Sequence, residues 1–185
     1  ALILGDNFFY AQSLTKKLIQ CTKIKKGAKI FLHPVKNPNL YGVAKLSKKN
    51  KIINLQEKPK KTNSNLAVTG LYFFDNKVVN FSKKLKPSKR KEIEIIDLLR
   101  KYKKINQLSA ETLGRGGTWL DAGSIDDFYS TTSFVAAIEK RQGLKVACLE
   151  EIALNKGWVN KQTLLKAINF YGNCTYSQYL KSLIK

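Results

Sequence analysis

The chain has 185 residues, of which 43% are hydrophobic and 10% aromatic, which is enough to bury one sizeable core and excludes a disordered chain. No apolar run approaches the roughly 18 to 20 residues that cross a bilayer, and no charged-then-apolar segment opens the chain, so we expect a cytoplasmic protein without membrane contact. Its cysteines, Cys21, Cys148 and Cys174, are odd in number and far apart, which favours reduced structural thiols over a disulfide framework or a zinc site.

The formal net charge of +21 raises the question of nucleic-acid binding, because a basic surface attracts phosphate. Arginine, whose planar guanidinium suits phosphate and base recognition, supplies only four of the 34 basic residues. The lysines are spread over every segment instead of gathering on one face. This distribution favours a general lysine bias, and a basic nucleic-acid-binding module stays as a minor alternative.

The chain up to Gly123 alternates between strand-like and helix-like patterns. Residues 1–5 (ALILG) form an apolar run typical of a buried parallel strand that ends in a turn. Apolar residues at helical spacing predict a helix from Leu14, which Gly27 stops. Further strands are predicted at residues 28–32, 42–46, 52–56, 67–74, 107–113 and 118–120, and helices at residues 76–85, capped by Asn76, and 92–102.

After Gly123 every predicted element is a helix. These helices span residues 124–141, 150–156, 160–169 and 176–185, with Ser124, Asn160 and Thr175 as candidate caps. The sequence therefore predicts an α/β domain over residues 1–123 and a helical segment over residues 124–185.

Two aspartates follow predicted strands at positions where ligands collect in α/β sheets. Asp6 comes directly after the first apolar run, and Asp121 follows the short strand that contains Trp119. Two carboxylates at such strand ends can hold Mg²⁺, which prefers hard oxygen ligands. From spacing alone, the alternative is that each aspartate caps a turn or a helix.

A second cluster, Glu57-Lys58-Pro59, lies where a hairpin strand ends. The carboxylate can accept sugar hydroxyls and the ammonium can hold a phosphate, although a surface ion pair is the plainer interpretation. Gly42, after Tyr41, would let a ligand approach the backbone closely, or serve only as a turn glycine. His33, the only histidine, is interpreted as structural.

Short motifs along nearly the whole chain occur in a specific order. They are Leu4-Gly5-Asp6-Asn7, Tyr41-Gly42-Val43, Glu57-Lys58-Pro59, residues 67–72 (AVTGLY), Trp119-Leu120-Asp121 and residues 139–146 (EKRQGLKV). In this order they resemble the sugar nucleotidyltransferases that make dTDP-glucose. Residues 148–152 (CLEEI) and Lys156-Gly157-Trp158 resemble the thymidylyl branch, the glucose-1-phosphate thymidylyltransferases.

The resemblance implies a fold, a reaction and a set of partners. The fold is an incomplete Rossmann-like mixed sheet of the nucleotide-diphospho-sugar transferase type, followed by a helical segment. In the reaction, glucose 1-phosphate attacks the α-phosphorus of dTTP and pyrophosphate leaves, with catalysis by positioning and by charge neutralisation with Mg²⁺. The family also implies a cytoplasmic homotetramer in dTDP-rhamnose and cell-surface polysaccharide biosynthesis.

Individual residues take their implied roles from the matching motifs. Asp6 and Asp121 correspond to the metal ligands of the family. Residues that correspond to the sugar-phosphate site are Tyr41, Gly42, Glu57, Lys58 and Val68, with Arg90 as a second phosphate contact and Trp119 as a wall of the glucose pocket. Arg115 and Arg141 fall in regions where the family binds its feedback inhibitor, dTDP-rhamnose, near a subunit interface.

Two departures from the family pattern bear on activity. The family opens with a glycine-rich loop of the form G-x-G-T-R-L and a downstream lysine, and neither precedes Ala1. We therefore expect a truncated enzyme that turns over poorly by itself, or alternatively a non-catalytic remnant that assembles with other subunits. Ala122 also stands where many relatives carry threonine, which removes a hydroxyl beside Asp121.

Overall fold

The computed structural model describes residues 1–88 and 90–184. Lys89, and Lys185 at the end of the last predicted helix, lie outside the described residues. The chain divides into two compact units, Ala1–Asp127 and Phe128–Lys185. Among the described residues, no helix combines the length and the apolar character needed to cross a membrane.

Most elements of the first unit are strands. The strands are β1 (Leu2–Ile3), β2 (Asn7–Tyr10), β3 (Ala28–Pro34), β4 (Gly42–Leu46), β5 (Ile52–Glu57), β6 (Leu66–Phe74), β7 (Leu108–Thr112) and β8 (Thr118–Asp121). The α-helices that lie wholly within the unit are α1 (Leu14–Thr22), α2 (Lys77–Ser82) and α3 (Ile95–Lys104). The predicted α/β class is therefore confirmed.

A mixed sheet forms the centre of the first unit. Its strand order is β5-β4-β6-β3-β7, with β1 also paired to β6, and β2 and β8 form a separate two-stranded sheet. Strand β3 pairs in parallel with β7, whereas the other ladders are antiparallel. The apolar run of β6 is buried over most of its length because it has neighbours on both sides.

Alternate side chains of β3 enter different cores. Ile30 and Leu32 pack in one cluster with Ile96 and Leu99 of α3. Phe31 points to the opposite face and packs in a cluster with Trp119 of β8. This period of two, which the β-prone sequence of residues 28–32 predicts, places β8 against one face of the sheet.

The prediction for residues 1–5 is wrong. Strand β1 is antiparallel to β6, with Leu2 opposite Tyr72 and Ile3 opposite Leu71. Among the described residues it has a partner along one edge only, and Leu2 and Ile3 are 41% and 58% exposed. An apolar run indicates strand character, but it does not specify the direction of pairing or the number of neighbours.

Two predicted helix caps are also wrong. The carboxylate of Asp75, not the side chain of Asn76, accepts the backbone N–H of Lys77 at the start of α2. Cys174, not Thr175, precedes the last helix, and its sulfur accepts the backbone N–H of Ser177. In both cases a neighbouring side chain accepts the N–H group of the first helical turn instead.

The second unit contains helices, as predicted. Helix α4 (Ile125–Gln142) begins in the first unit and is followed by α5 (Leu149–Asn155), α6 (Lys161–Tyr171) and α7 (Thr175–Ser182). Ser124 and Asn160 accept backbone N–H groups at the starts of α4 and α6, which confirms both as caps. The core of this unit consists of Cys148, Leu164, Ile168 and Leu180.

Candidate functional site

A cavity of about 180 Å³ brings together most of the residues that the sequence singles out. Eight of them line it: Asp6, Tyr41, Gly42, Glu57, Lys58, Val68, Trp119 and Asp121. The remaining lining residues are Leu4, Asn7, Leu40, Gly70, Tyr72, Ile95 and Ile96. The cavity therefore has acidic, basic and aromatic walls supplied by both sheets, with an apolar side from α3.

Asp6 and Asp121 lie next to each other because β2 and β8 are antiparallel. Asn7 pairs with Asp121, and the backbone N–H of Ala122 donates to the carbonyl oxygen of Asp6 at 2.7 Å. A Cβ atom on Gly123 would lie 3.2 Å from Asp121 Oδ1 and 3.7 Å from Asp6 Oδ2. Both carboxylates therefore converge on the same point, and Gly123 leaves that point open.

Electrostatic repulsion makes this carboxylate pair suitable for a cation. Burial raises the pKa of Asp121, and so do the carboxylates of Asp6 and Asp127, against the opposing effects of the Gly123 N–H group and Lys58. Among the described residues no group of three or more His, Cys, Asp or Glu side chains could hold a metal ion. A hard cation at Asp6 and Asp121 fits the donor set, and it would take its remaining ligands from water or substrate oxygens.

Glu57 faces Gly42 across the β4–β5 hairpin. A Cβ atom on Gly42 would lie 2.7 Å from Ile96 Cδ1 and 3.4 Å from Glu57 Oε2, so a larger residue at position 42 would have to displace the Ile96 side chain. Burial raises the pKa of Glu57, and the carboxylate of Glu94 raises it further, whereas Lys58, Arg90 and Arg100 lower it. The Glu57 carboxylate is therefore partly desolvated and able to accept hydroxyl groups strongly.

Lys58 has an unusual backbone conformation. Its φ of +35° lies in the left-handed region although Pro59 follows, and a following proline favours extended conformations. Its backbone N–H donates to the carbonyl oxygen of Tyr41 at 3.1 Å. The chain bends at Lys58, which lines the cavity and is itself exposed to solvent.

Arg90 lies beside the cavity and is not among its lining residues. Its Nη1 atom is 3.7 Å from Glu57 Oε1 and 3.7 Å from Glu94 Oε1, and its Nη2 atom is 2.8 Å from Glu92 Oε2. The guanidinium is therefore shared among carboxylates, one of which belongs to the cavity. To contact a phosphate it would have to exchange at least one of these partners.

Trp119 forms a buried aromatic wall of the cavity, with 7% of its surface exposed. Its ring meets Tyr41 edge-on at a centroid distance of 5.0 Å, and His33 at 6.4 Å. Burial lowers the pKa of His33, which favours a neutral imidazole that packs behind the wall. His33 does not line the cavity, in agreement with its interpretation as a structural residue.

The two candidate regulatory residues lie elsewhere. Arg115 is exposed in the turn between β7 and β8, and Arg141 is exposed near the end of α4 in the second unit. Neither lines the cavity.

The sequence interpretation missed Asn7 as a site residue. Asn7 lines the cavity, and its side-chain amide hydrogen-bonds to Asp6, Gly70 and Trp119. The available signal was Gly70, a glycine within an otherwise bulky buried strand, which indicates that another group approaches the backbone closely.

Comparisons with known proteins agree with one another. The family model for nucleotidyl transferase matches residues 1–138. The glucose-1-phosphate thymidylyltransferase of Neisseria meningitidis serogroup A is 44% identical over 184 residues, which cover 100% of this chain and 64% of that protein. The Xanthomonas campestris enzyme of the same name is 42% identical over 184 residues, with coverages of 100% and 62%.

Solved structures show the same fold. A Bacillus anthracis structure named as a glucose-1-phosphate thymidylyltransferase in complex with a sucrose has a TM-score of 0.63 and 39% identity, over 71% of this chain and 52% of that one. An apo UDP-glucose pyrophosphorylase has a TM-score of 0.60 and 25% identity, over 75% and 54%. The present chain spans about 64% of the length of the Neisseria relative.

Proposed function

Because the chain belongs to the nucleotidyl transferase family, whose model matches residues 1–138, we propose that it carries the sugar-phosphate and metal sites of a glucose-1-phosphate thymidylyltransferase. The main observation in support of this proposal is that one cavity is lined by Asp6, Asp121, Glu57 and Lys58. The substrates are glucose 1-phosphate and dTTP, and the products are dTDP-glucose and pyrophosphate. The names of the relatives support this choice of substrates.

The walls of the cavity suit a phosphorylated sugar. The Glu57 carboxylate accepts sugar hydroxyls, and the exposed ammonium of Lys58 pairs with the phosphate. Trp119, with Tyr41, forms an aromatic wall for the sugar ring, and Gly42 and Val68 line the cavity beside the sugar. Arg90 becomes a second phosphate contact when the phosphate replaces one of its carboxylate partners.

The reaction is an in-line displacement that needs no covalent enzyme intermediate. A phosphate oxygen of glucose 1-phosphate forms a bond to the α-phosphorus of dTTP, while the bond from that phosphorus to pyrophosphate breaks. Asp6 and Asp121 would hold Mg²⁺, which supplies neutralisation of the phosphate charge. Glu57 holds the sugar and Lys58 holds the attacking phosphate, and this positioning lowers the entropic part of the barrier.

Further properties belong to the same proposal. We assign the protein to the cytoplasm, to dTDP-rhamnose and cell-surface polysaccharide biosynthesis and to a homotetramer, with neither nucleic acid nor membrane as a partner. Arg115 and Arg141 are proposed to contribute to the binding of the feedback inhibitor dTDP-rhamnose. Their exposure leaves both guanidinium groups accessible to an anionic ligand.

Direct binding tests this proposal more sharply than turnover, because it depends only on the cavity described above. We expect calorimetric titration of the 185-residue chain with glucose 1-phosphate and Mg²⁺ to give saturable binding. Lys58→Ala should weaken that binding about tenfold or more, since it removes a charge-assisted contact. The matched control is Lys60→Ala, an exposed lysine outside the cavity, which should bind like the wild type. Absence of binding by the wild type, or equal effects of the two substitutions, would contradict the proposal.

A further inference from the structure

The side chain of Asn7 uses most of its hydrogen-bonding capacity within the protein. Its Oδ1 atom accepts the backbone N–H of Gly70 at 2.9 Å and the indole N–H of Trp119 at 2.6 Å. Its Nδ2 atom donates to Asp6 Oδ1 at 2.7 Å. Both lone pairs of the amide oxygen are therefore occupied, and one of the two N–H groups is as well. The amide can hardly bind a ligand through its oxygen, so its effect on a ligand passes through its neighbours.

The backbone of β6 is adapted to this amide. A Cβ atom on Gly70 would lie 2.5 Å from Asn7 Cγ and 2.6 Å from Asn7 Oδ1, distances that real Cβ atoms do not tolerate. Glycine at position 70 is thus the condition for the approach of Asn7. The backbone carbonyl of Gly70 also accepts the N–H of Leu4 at 2.9 Å, which ties the segment before Asp6 to the same point of β6.

Asn7 joins two sheets that have no ladder between them. It belongs to β2, whose only partner among the described strands is β8, whereas Gly70 belongs to β6 in the six-stranded sheet. Trp119 lies on β8 opposite Phe9, and Asp6 immediately precedes β2. The Asn7 amide therefore connects the Trp119 ring and the Asp6 carboxylate to Gly70 of β6.

We propose that Asn7 is a positioning residue that sets the Trp119 ring and the Asp6 carboxylate relative to each other and to β6. The consequence for ligands rests on the proposed function, because it assumes that a sugar phosphate occupies the cavity. The consequence for Trp119 does not rest on it, because the hydrogen bond to the indole exists in the protein alone. These two consequences can be measured separately.

The emission of Trp119 provides a readout that needs no ligand. The other tryptophan, Trp158, is 74% exposed, so Trp158→Phe isolates the emission of the buried Trp119 at little cost. In that background we expect Asn7→Ala to change the Trp119 emission and to weaken glucose 1-phosphate binding about tenfold, since the indole loses its acceptor and the ring can reorient. Asn76→Ala, an exposed asparagine without a side-chain cap bond, is the matched control and should change neither.

Two more variants separate positioning from a loss of volume. Asn7→Asp keeps an oxygen that can accept from Gly70 and Trp119 but replaces the donor to Asp6 with a second acceptor, so its emission should lie closer to wild type than that of Asn7→Ala, while its glucose 1-phosphate binding should remain weak. Gly70→Ala should reproduce the effects of Asn7→Ala, because its Cβ atom displaces the amide, and it should add little in the Asn7→Ala background.

The possible outcomes decide clearly between the proposals. Unchanged Trp119 emission in a folded Asn7→Ala or Gly70→Ala protein would overturn the positioning role, and so would full additivity of the two substitutions. If the wild type does not bind glucose 1-phosphate, the proposed function fails, whereas the emission series still tests Asn7. If Asn7→Ala does not fold, Gly70→Ala supplies the same comparison, because its Cβ atom displaces the Asn7 amide.

Discussion

Lys58 combines a function in the cavity with an unfavourable backbone conformation. A lysine at a φ of +35° that also precedes proline is strained by an amount on the order of 1–3 kcal/mol. This backbone conformation bends the chain directly after Glu57, and Glu57 and Lys58 both line the cavity. Such strain persists only where the surrounding structure enforces it, and here the Lys58 N–H is held by the Tyr41 carbonyl.

We therefore predict that Lys58→Gly stabilises the protein and impairs binding. Glycine adopts positive φ without steric cost, so the free energy of unfolding should rise by about 1 kcal/mol in urea titrations. The same variant should bind glucose 1-phosphate about tenfold more weakly, because it lacks the ammonium. Asn50→Gly is the control: Asn50 has a φ of +56° in the β4–β5 turn, away from the cavity, and should leave the affinity unchanged. A lower stability of Lys58→Gly would show that the backbone is not strained.

For single residues, the sequence predicts the charged groups of the cavity better than the residues that hold them in place through hydrogen bonds. Asp6, Asp121 and Glu57 stand at ends of predicted strands, where polar groups have little reason to occur unless they cap a turn or contact a ligand. The role of Asn7 depends on hydrogen bonds to residues 63 and 112 positions away, which no local pattern encodes. The ion pairs of Arg90 are equally hard to predict, because Glu57 and Glu94 come from two segments of the chain.

Among the elements, Asp75 links α2 and α3 to the residue that precedes β3. Its carboxylate accepts the N–H of Gly27 before β3 at 2.7 Å, the N–H of Lys77 in α2 at 3.1 Å and the hydroxyl of Tyr102 in α3 at 2.8 Å. Burial acts to raise the pKa of Asp75, but these hydrogen bonds outweigh it and hold the pKa below its usual value. The ionised carboxylate is thus favoured in the folded state.

This pKa has a defined consequence for stability. Because the folded pKa is lowered, the stabilisation is present above the unfolded pKa of about 3.9 and is lost as the pH falls through the folded pKa. We predict that Asp75→Asn lowers the free energy of unfolding by about 1–3 kcal/mol at pH 7, and that the difference from wild type shrinks below about pH 4. Urea titrations of wild type and Asp75→Asn at pH 7 and below about pH 4 measure the two differences in the free energy of unfolding.

Asp97→Asn serves as the control for Asp75, because the Asp97 carboxylate forms an exposed ion pair with Arg100. Its cost should stay below about 1 kcal/mol. Equal costs for the two substitutions would show that Asp75 contributes no more than a surface charge.

The sequence predicts the position of a strand or helix well where local side chains specify it. Residues 28–32, 42–46 and 67–74 become β3, β4 and β6 within a few residues of the expected bounds, because β-branched and aromatic side chains specify them locally. Helix α3 begins at Ile95 instead of Glu92, and the Glu92 carbonyl accepts the backbone N–H of Ser88, four residues earlier in the chain. Lys91 has a φ of +63°, which is incompatible with an α-helix and which a lysine in the sequence does not indicate.

At the scale of the whole molecule, each of the two units has a hydrophobic core built from its own residues. The clusters around β3 and β6 contain residues of Ala1–Asp127 only, and the cluster of Cys148, Leu164, Ile168 and Leu180 lies within Phe128–Lys185. All residues that line the candidate site belong to the first of these units. Stability in the second unit and binding in the first should therefore respond to different substitutions.

We predict that Leu164→Ala loosens the second unit and spares the site. Leu164 is 1% exposed, so the substitution should lower the protection of α6 and α7 amides in hydrogen exchange by about 2–5 kcal/mol. Amides of β3 and β6 should keep their protection, and glucose 1-phosphate affinity should stay within about twofold of wild type, because no lining residue has moved. Ile30→Ala, a fully buried residue of the first core, should give the reverse pattern. If Leu164→Ala lowers the protection of β3 as much as that of α6, the two cores unfold as one cooperative unit, and the helical segment contributes directly to the stability of the site.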